Sequence, residues 1–187
     1  MKGERVRRQR AEKGPVLLFT GDGKGKTSAA MGTALRLAGR GKRVLVLQFA
    51  KPPGGSGEER ALKKLAPEVR VKALGKCRLD LSARPRRVRD LDDVARQWDR
   101  ALALMSLARW DAVVLDELNF VVCAGYLPAR KVTAFLDARP SGLAVVLTGR
   151  GKSRDIVRRA DYVTEMKNRK HPFDPDSIGT AIRGIEF

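Results

Sequence analysis

Apolar residues in this chain gather into short runs set apart by stretches with helical spacing. Val16–Thr20, Val44–Phe49, Ala112–Leu115 and Leu143–Thr148 are nearly continuous apolar runs, and Val69–Leu74 alternates with Arg70 and Lys72. Runs this short, bounded by turn formers, predict strands. Between Arg89 and Arg109 the apolar residues Leu91, Val94, Trp98, Leu102 and Met105 recur every three or four positions, one face of a long helix. Further helices are expected over Lys26–Arg40, closed by Gly41, over Glu58–Leu65, from Pro128 to about Asp137, and from Ser153 to about Arg159. Tyr162–Met166 and Ile182–Phe187 read as additional strands. Pro52, Pro53, Gly54, Gly55 and Ser56 mark a loop after the second strand, and Gly75–Arg87 has no period and reads as a long loop.

Apolar strands that are each reached through a helix imply a mainly parallel sheet with helices on both faces, an α/β fold. Such sheets bind ligands at the carboxyl ends of their strands. Gly21–Thr27, Gln48–Gly57, Asp116–Glu117 and Gly149–Arg150 all fall on that rim. The length of 187 residues fits one domain, expected over 14–187, behind a basic arm over 1–13.

The first rim segment carries the clearest chemistry. Thr20–Ser28 reads T-G-D-G-K-G-K-T-S, close to the phosphate-binding pattern G-x-x-x-x-G-K-[ST], with Thr20 in place of the first glycine. Backbone amides of Gly21, Asp22, Gly23, Lys24 and Gly25 can face phosphate oxygens, and Ser28 lies at the positive start of the following helix. Lys26 supplies a cation and Thr27 a hydroxyl for Mg²⁺. A solvated Gly/Lys turn could hold the same residues, but the flanking strand and helix favour a nucleotide loop. Ala112–Glu117 resembles a Walker B strand, whose carboxylates hold Mg²⁺ directly or through water; the alternative is a strand end that only caps. Asp22 either touches a ribose or favours the turn. Glu58, Glu59 and Arg60 either reach a ligand or form a solvated helix start, and Arg150 either meets phosphate or sits in an exposed turn. Trp98 and Trp110 are expected in the core.

Composition narrows the setting. A chain with 43% hydrophobic and 32% charged residues is that of a soluble globular protein, and no apolar run approaches the roughly 20 residues of a bilayer span. Met1–Lys13 has no apolar core and does not read as a secretory signal. Cys77 and Cys123 stand far apart, as reduced thiols of a cytoplasmic protein would, and the lone His171 cannot build a histidine-rich metal centre. The net charge of +18 raises the question of nucleic acid. The basic clusters around Arg5–Arg10, Arg84–Arg89 and Arg150–Arg154 are spread along the chain, however, and 5% aromatics leave little for base stacking, so solvated faces are the expected use.

Taken together, F-T-G-D-G-K-G-K-T-S-A-A-M-G-T-A, V-L-V-L-Q-F-A-K, V-V-L-D-E-L-N-F, G-Y-L-P, L-T-G-R-G and K-H-P-F-D resemble the P-loop ATP:corrinoid adenosyltransferases of the cobalamin pathway, from about Gly14 to Phe187. Threonine in place of the first loop glycine is that family's form. The resemblance implies a RecA-like P-loop fold, a homodimer, and transfer of the 5′-deoxyadenosyl group of ATP to the cobalt of a reduced corrinoid with release of triphosphate. It implies that Gly21–Thr27 hold the triphosphate, that Lys26 neutralises it, that Thr27 and Glu117 ligate Mg²⁺ or Mn²⁺, and that Arg36 and Glu58 contact nucleotide or corrin. The corrinoid would be cobalamin, cobinamide or cobyrinic acid a,c-diamide, reduced by a donor such as a reduced flavoprotein. Where the family commonly places aromatics that detach the corrinoid's lower ligand, this chain has Gly75-Lys76-Cys77-Arg78-Leu79. Two other function classes fit the P-loop and the charge: an ATPase acting on nucleic acid, and a nucleotide-binding regulator without catalysis.

Overall fold

The computed structural model describes residues 13–54, 56–76, 87–170 and 184–185. Strands and helices alternate as β1 (Val16–Thr20), α1 (Lys26–Ala38), β2 (Val44–Gln48), α2 (Gly57–Lys63), β3 (Val69–Ala73), α3 (Val88–Ser106), β4 (Ala112–Asp116), α4 (Leu118–Cys123), α5 (Ala129–Ala138), β5 (Ala144–Thr148), α6 (Arg154–Val157) and β6 (Tyr162–Glu165). The six strands form one sheet in the order β3-β2-β4-β5-β1-β6, and every pairing is parallel. The α/β architecture expected of a P-loop fold is therefore present.

Side chains alternate across a strand, so each central strand feeds two cores. Val44, Val46, Val114 and Val146 point to one face and pack with Ala30, Met31 and Ala34 of α1 and Leu62 of α2. Leu45, Leu47, Val113, Leu115, Val145 and Leu147 point to the other, against Val94, Trp98 and Ala101 of α3, Val132 and Leu136 of α5, and Ile156 of α6. The small residues Ala30 and Ala34 let α1 lie close over the sheet. Trp98 sits between Phe49 and Phe135, with ring centroids 6.5 and 6.0 Å away, and Trp110 is buried elsewhere in the same core cluster, as expected of both. Each aromatic pair of this kind adds about 0.5–1.5 kcal/mol beyond its buried area.

Four details differ from the sequence reading. Pro128 is the residue before α5, extended at ψ 129°, rather than part of its first turn. The helix α4 directly after Glu117 was not anticipated. The edge strand β6 forms where expected, but all four of its residues are exposed. Gly184 and Ile185 form a turn, which interrupts the strand expected over Ile182–Phe187; the rest of that segment, the arm over 1–12, Cys77 to Arg86 and His171 lie outside the described residues.

Candidate active site

Chain leaving β1 at Thr20 turns at once into the glycine loop. The segment after β6 crowds against that loop: a Cβ on Gly21 would lie 2.2 Å from the Met166 carbonyl oxygen, and one on Gly23 would lie 2.7 Å from the Lys167 carbonyl carbon. Gly21 also has φ +99°, a conformation open to glycine at little cost. The Gly23 N–H donates to the Met166 carbonyl at 2.8 Å, and the Asn168 N–H donates to Asp22 Oδ1 at 3.2 Å. That amide bond holds the Asp22 carboxyl below its ordinary range and ties the loop to the segment after β6, and Asp22 also lines the cavity described below. Thr20, where the general pattern has glycine, is buried and donates its hydroxyl to the Gly151 carbonyl at 2.5 Å, joining the loop to the turn after β5.

Helix α1 begins at Lys26 behind Gly25, and no side chain caps its first-turn amides. Those amides, with the helix dipole, suit an anion. The Lys26 ammonium donates to the Gly23 carbonyl at 2.5 Å, with burial and then the neighbouring Arg150 lowering its pKa.

Opposite the loop, β4 ends in Asp116, which is fully buried. Asp116 Oδ1 accepts the hydroxyls of Thr27 at 2.8 Å and Thr148 at 2.7 Å; Oδ2 accepts the Lys51 ammonium at 2.7 Å and the Gln48 amide at 3.5 Å. Burial opposes the charge of Lys51, but the attraction of Asp116 wins and raises its pKa. The hydrogen of Thr27 is committed to Asp116, so the lone pairs of Oγ1 remain for a cation. The Glu117 N–H donates to Thr148 Oγ1 at 2.8 Å, in the left-handed conformation at φ +63°. That turn brings its carboxyl to the cavity, where burial and then Asp116 push its pKa up while Lys51, Lys26 and Arg150 pull it down.

The turn after β5 is held from below. Asn119, buried in α4, directs its Nδ2 to the carbonyls of Gly149 at 3.0 Å, Arg150 at 3.3 Å and Gly151 at 2.9 Å. On the remaining side, Glu59 is buried and binds the Gly54 N–H at 2.8 Å and Lys63 at 2.7 Å, while its own N–H donates to Ser56 Oγ. Glu59 thus anchors the proline–glycine loop and leaves Glu58 facing the cavity, whereas Arg60 is exposed.

These elements enclose a cavity of about 250 Å³. Asp22, Gly23, Lys24, Gly25, Lys26, Thr27, Ser28, Glu58, Glu117 and Arg150 all line it, as sequence reasoning brought them to one rim. Gly21 sits just behind. Arg36 does not join them: it is exposed in the last turn of α1, ten residues beyond Lys26 and so about 15 Å along the axis. Lys51, which falls within the rim segment Gln48–Gly57 without being singled out there, and Ile185 also line the cavity. Among the described residues no group of three or more histidine, cysteine or acidic side chains could cage a metal. The hydroxyls of Thr27 and Ser28 and the carboxylates of Asp22, Glu58 and Glu117 are oxygen donors along the wall, of the kind that suits a hard cation completed by phosphate and water.

A family model described as ATP:corrinoid adenosyltransferase BtuR/CobO/CobP matches residues 12–187. The chain belongs to this family. Curated relatives agree with that membership. The corrinoid adenosyltransferase of Salmonella typhimurium is 40% identical over 185 residues, covering 98% of this chain and 90% of that protein. That of Escherichia coli K12 is 40% identical over 170 residues, covering 91% and 85%. That of Pseudomonas aeruginosa is 36% identical over 184 residues, covering 98% and 89%. The family consists of enzymes that transfer the adenosyl group of ATP to a reduced corrinoid. Among the described residues that line the cavity there is no histidine or cysteine. Nothing in these likenesses supports an ATPase acting on nucleic acid. Among the described residues no helix is long and apolar enough to cross a membrane.

Proposed function

We propose that the cavity above α1 holds the triphosphate of ATP while the 5′-deoxyadenosyl group passes to the cobalt of a reduced corrinoid. The observation that carries this reading is the meeting of uncapped helix amides, Lys26 and Arg150 around one cavity. The cobalt(I) lone pair attacks C5′, the cobalt–carbon bond forms, the C5′–oxygen bond breaks, and triphosphate leaves with that electron pair. Cobalt(I) is a strong nucleophile without a proton to lose, so neither a side-chain nucleophile nor a general base is required. The protein's share is to place C5′ and to stabilise charge growing on the leaving group.

Gly21 to Ser28 bind the triphosphate, with Lys26 against its oxygens. A Mg²⁺ or Mn²⁺ ion fits beside Thr27 and Glu117, because Thr27 offers lone pairs and Glu117 a carboxylate; when bound it neutralises phosphate charge. Glu58 faces the nucleotide or the corrin. Arg36 is proposed to contact ligand only through the homodimer that the family resemblance implies. An electron donor such as a reduced flavoprotein rests on that resemblance too, and a cytoplasmic location on the two far-apart cysteines. With no aromatic in Gly75–Leu79, early corrinoids whose lower ligand is weak or absent are the favoured substrates over complete cobalamin.

Incubation with ATP, Mg²⁺ and chemically reduced cobinamide tests the reaction. Phosphorus NMR should show inorganic triphosphate in step with the spectrum of an alkylated corrinoid. ADP with phosphate, released faster with DNA or RNA, would replace this reading by the nucleic-acid ATPase, and binding without turnover by the regulator.

A further inference from the structure

Lys51 reaches the site through an unusual stretch of backbone. After β2, the Phe49 N–H donates to the Asp116 carbonyl at 3.0 Å, and Ala50 then adopts φ +56°, a left-handed conformation disfavoured for a non-glycine residue. Two contacts hold that turn. The Ala50 N–H donates to Oε1 of Gln97, buried in α3, at 3.1 Å, and the Gly75 N–H donates to the Lys51 carbonyl at 3.1 Å. Gly75 lies so close that a Cβ there would be 2.9 Å from the Lys51 nitrogen. Three elements thus converge to aim one lysine at one carboxylate.

Among the described residues Asp116 receives four donors, and of these only Lys51 is charged. The other charged groups nearby, Glu117, Lys26 and Arg150, make no hydrogen bond to Asp116 among those described, and Glu58 faces Lys51 across the cavity wall. A buried carboxylate without a counter-charge is strongly unfavourable, and removing one partner of such a pair disturbs the site far more than replacing both. The same carboxylate orients Thr27 and Thr148, and Thr148 in turn fixes the Glu117 amide.

We propose that Lys51 is a positioning residue: by balancing Asp116 it keeps the Thr27 hydroxyl donating inward, with its lone pairs turned to the cation, and keeps Glu117 in its left-handed turn. Its action runs through Asp116 and not through a contact with nucleotide. This rests on the assignment of Thr27 and Glu117 to the metal, and the test separates the two.

Enzyme-bound Mn²⁺ is titrated by electron paramagnetic resonance in the presence of ATP, and metal-free ATP binding is measured by calorimetry. Lys51→Met should weaken Mn²⁺ binding at least about tenfold, the scale of losing a group behind a metal ligand, and leave metal-free ATP affinity within about threefold. Lys51→Arg, which keeps the charge, should retain Mn²⁺ binding within about threefold of wild type. Lys51→Met combined with Asp116→Asn removes both charges and should recover most of the loss in Mn²⁺ binding and in melting temperature, a coupling that a double-mutant cycle reads directly. Should the single variant fail to fold, the double variant and Lys51→Arg still carry the test. Wild-type Mn²⁺ binding in Lys51→Met, while Thr27→Ala loses the ion, would overturn this inference alone. Weakened metal-free ATP binding that Asp116→Asn does not restore would overturn it in favour of a direct phosphate contact. Full Mn²⁺ binding in Thr27→Ala would remove the metal assignment and this inference with it.

Discussion

Replacing Asn119 by aspartate keeps the size of the side chain but turns its donor end into an acceptor. Asn119 is fully buried, and its Nδ2 faces the carbonyls of Gly149, Arg150 and Gly151 at 3.0, 3.3 and 2.9 Å. Two amide hydrogens serve three acceptors, so two bonds are well formed and the longest is shared. At a net value of about 0.5–1.5 kcal/mol per bond, Asn119→Ala should cost about 1–3 kcal/mol. Asn119→Asp should cost more, about 3–5 kcal/mol at pH 8, because an ionised carboxylate would face three carbonyl oxygens with no counter-charge. Burial there would raise the folded-state pKa of the new carboxyl above its unfolded value of about 3.9. The penalty is therefore absent below that value and grows as pH rises through the folded pKa. Urea unfolding should rank wild type above Asn119→Ala above Asn119→Asp at pH 8, with the aspartate variant recovering ground at pH 5. Because the same clamp holds Arg150, both variants should also lose kcat. An aspartate variant as stable as wild type at pH 8 would show that the three carbonyls are not held by this side chain.

Lys26→Ala should lower kcat about a hundredfold, the loss of roughly 3 kcal/mol of leaving-group stabilisation, measured by corrinoid absorbance in a variant with unchanged melting temperature. Glu117 has a folded pKa pushed up by burial and then by Asp116, so its ionised form penalises the apo fold above the ordinary carboxylate range of about 4.3. Glu117→Gln should accordingly be more stable than wild type at pH 8, by a margin that vanishes at pH 4, while its Mg²⁺ requirement rises; urea melts at both pH values and a Mg²⁺ titration of activity check this. Gly21→Ala places a Cβ 2.2 Å from the Met166 carbonyl oxygen at a positive φ and should cost several kcal/mol of stability together with nucleotide binding, read by thermal melts with and without ATP.

What the sequence made legible follows from how strongly each residue's surroundings are written into local pattern. Val44–Gln48 and Ala112–Asp116 are wholly buried, and only a central parallel strand asks for such continuous apolar runs. The glycine loop was legible as a turn between strand and helix because its glycines and Lys-Thr stand at a spacing set by backbone chemistry. Helix α4 was not, because Leu-Asn-Phe-Val-Val-Cys has β-branched and aromatic residues without a capping side chain, and it starts from a left-handed Glu117 that no propensity signals. Asn119 was hidden inside that apolar run. Lys51 lies within the rim segment Gln48–Gly57, but its placement against Asp116 depends on Ala50, Gln97 and Gly75, which meet only in three dimensions. Arg36 illustrates the reverse limit, since helix geometry alone separates it from the loop by about 15 Å.

Crystals of the protein grown with ATP and Mg²⁺ would test the central claim most directly, through difference density at the rim of the sheet. The account predicts triphosphate over Gly21–Thr27, an ion against the Thr27 hydroxyl and Glu117 carboxyl, and Lys51 still paired with Asp116. Triphosphate bound elsewhere, or an ion with no contact to Thr27, would contradict it.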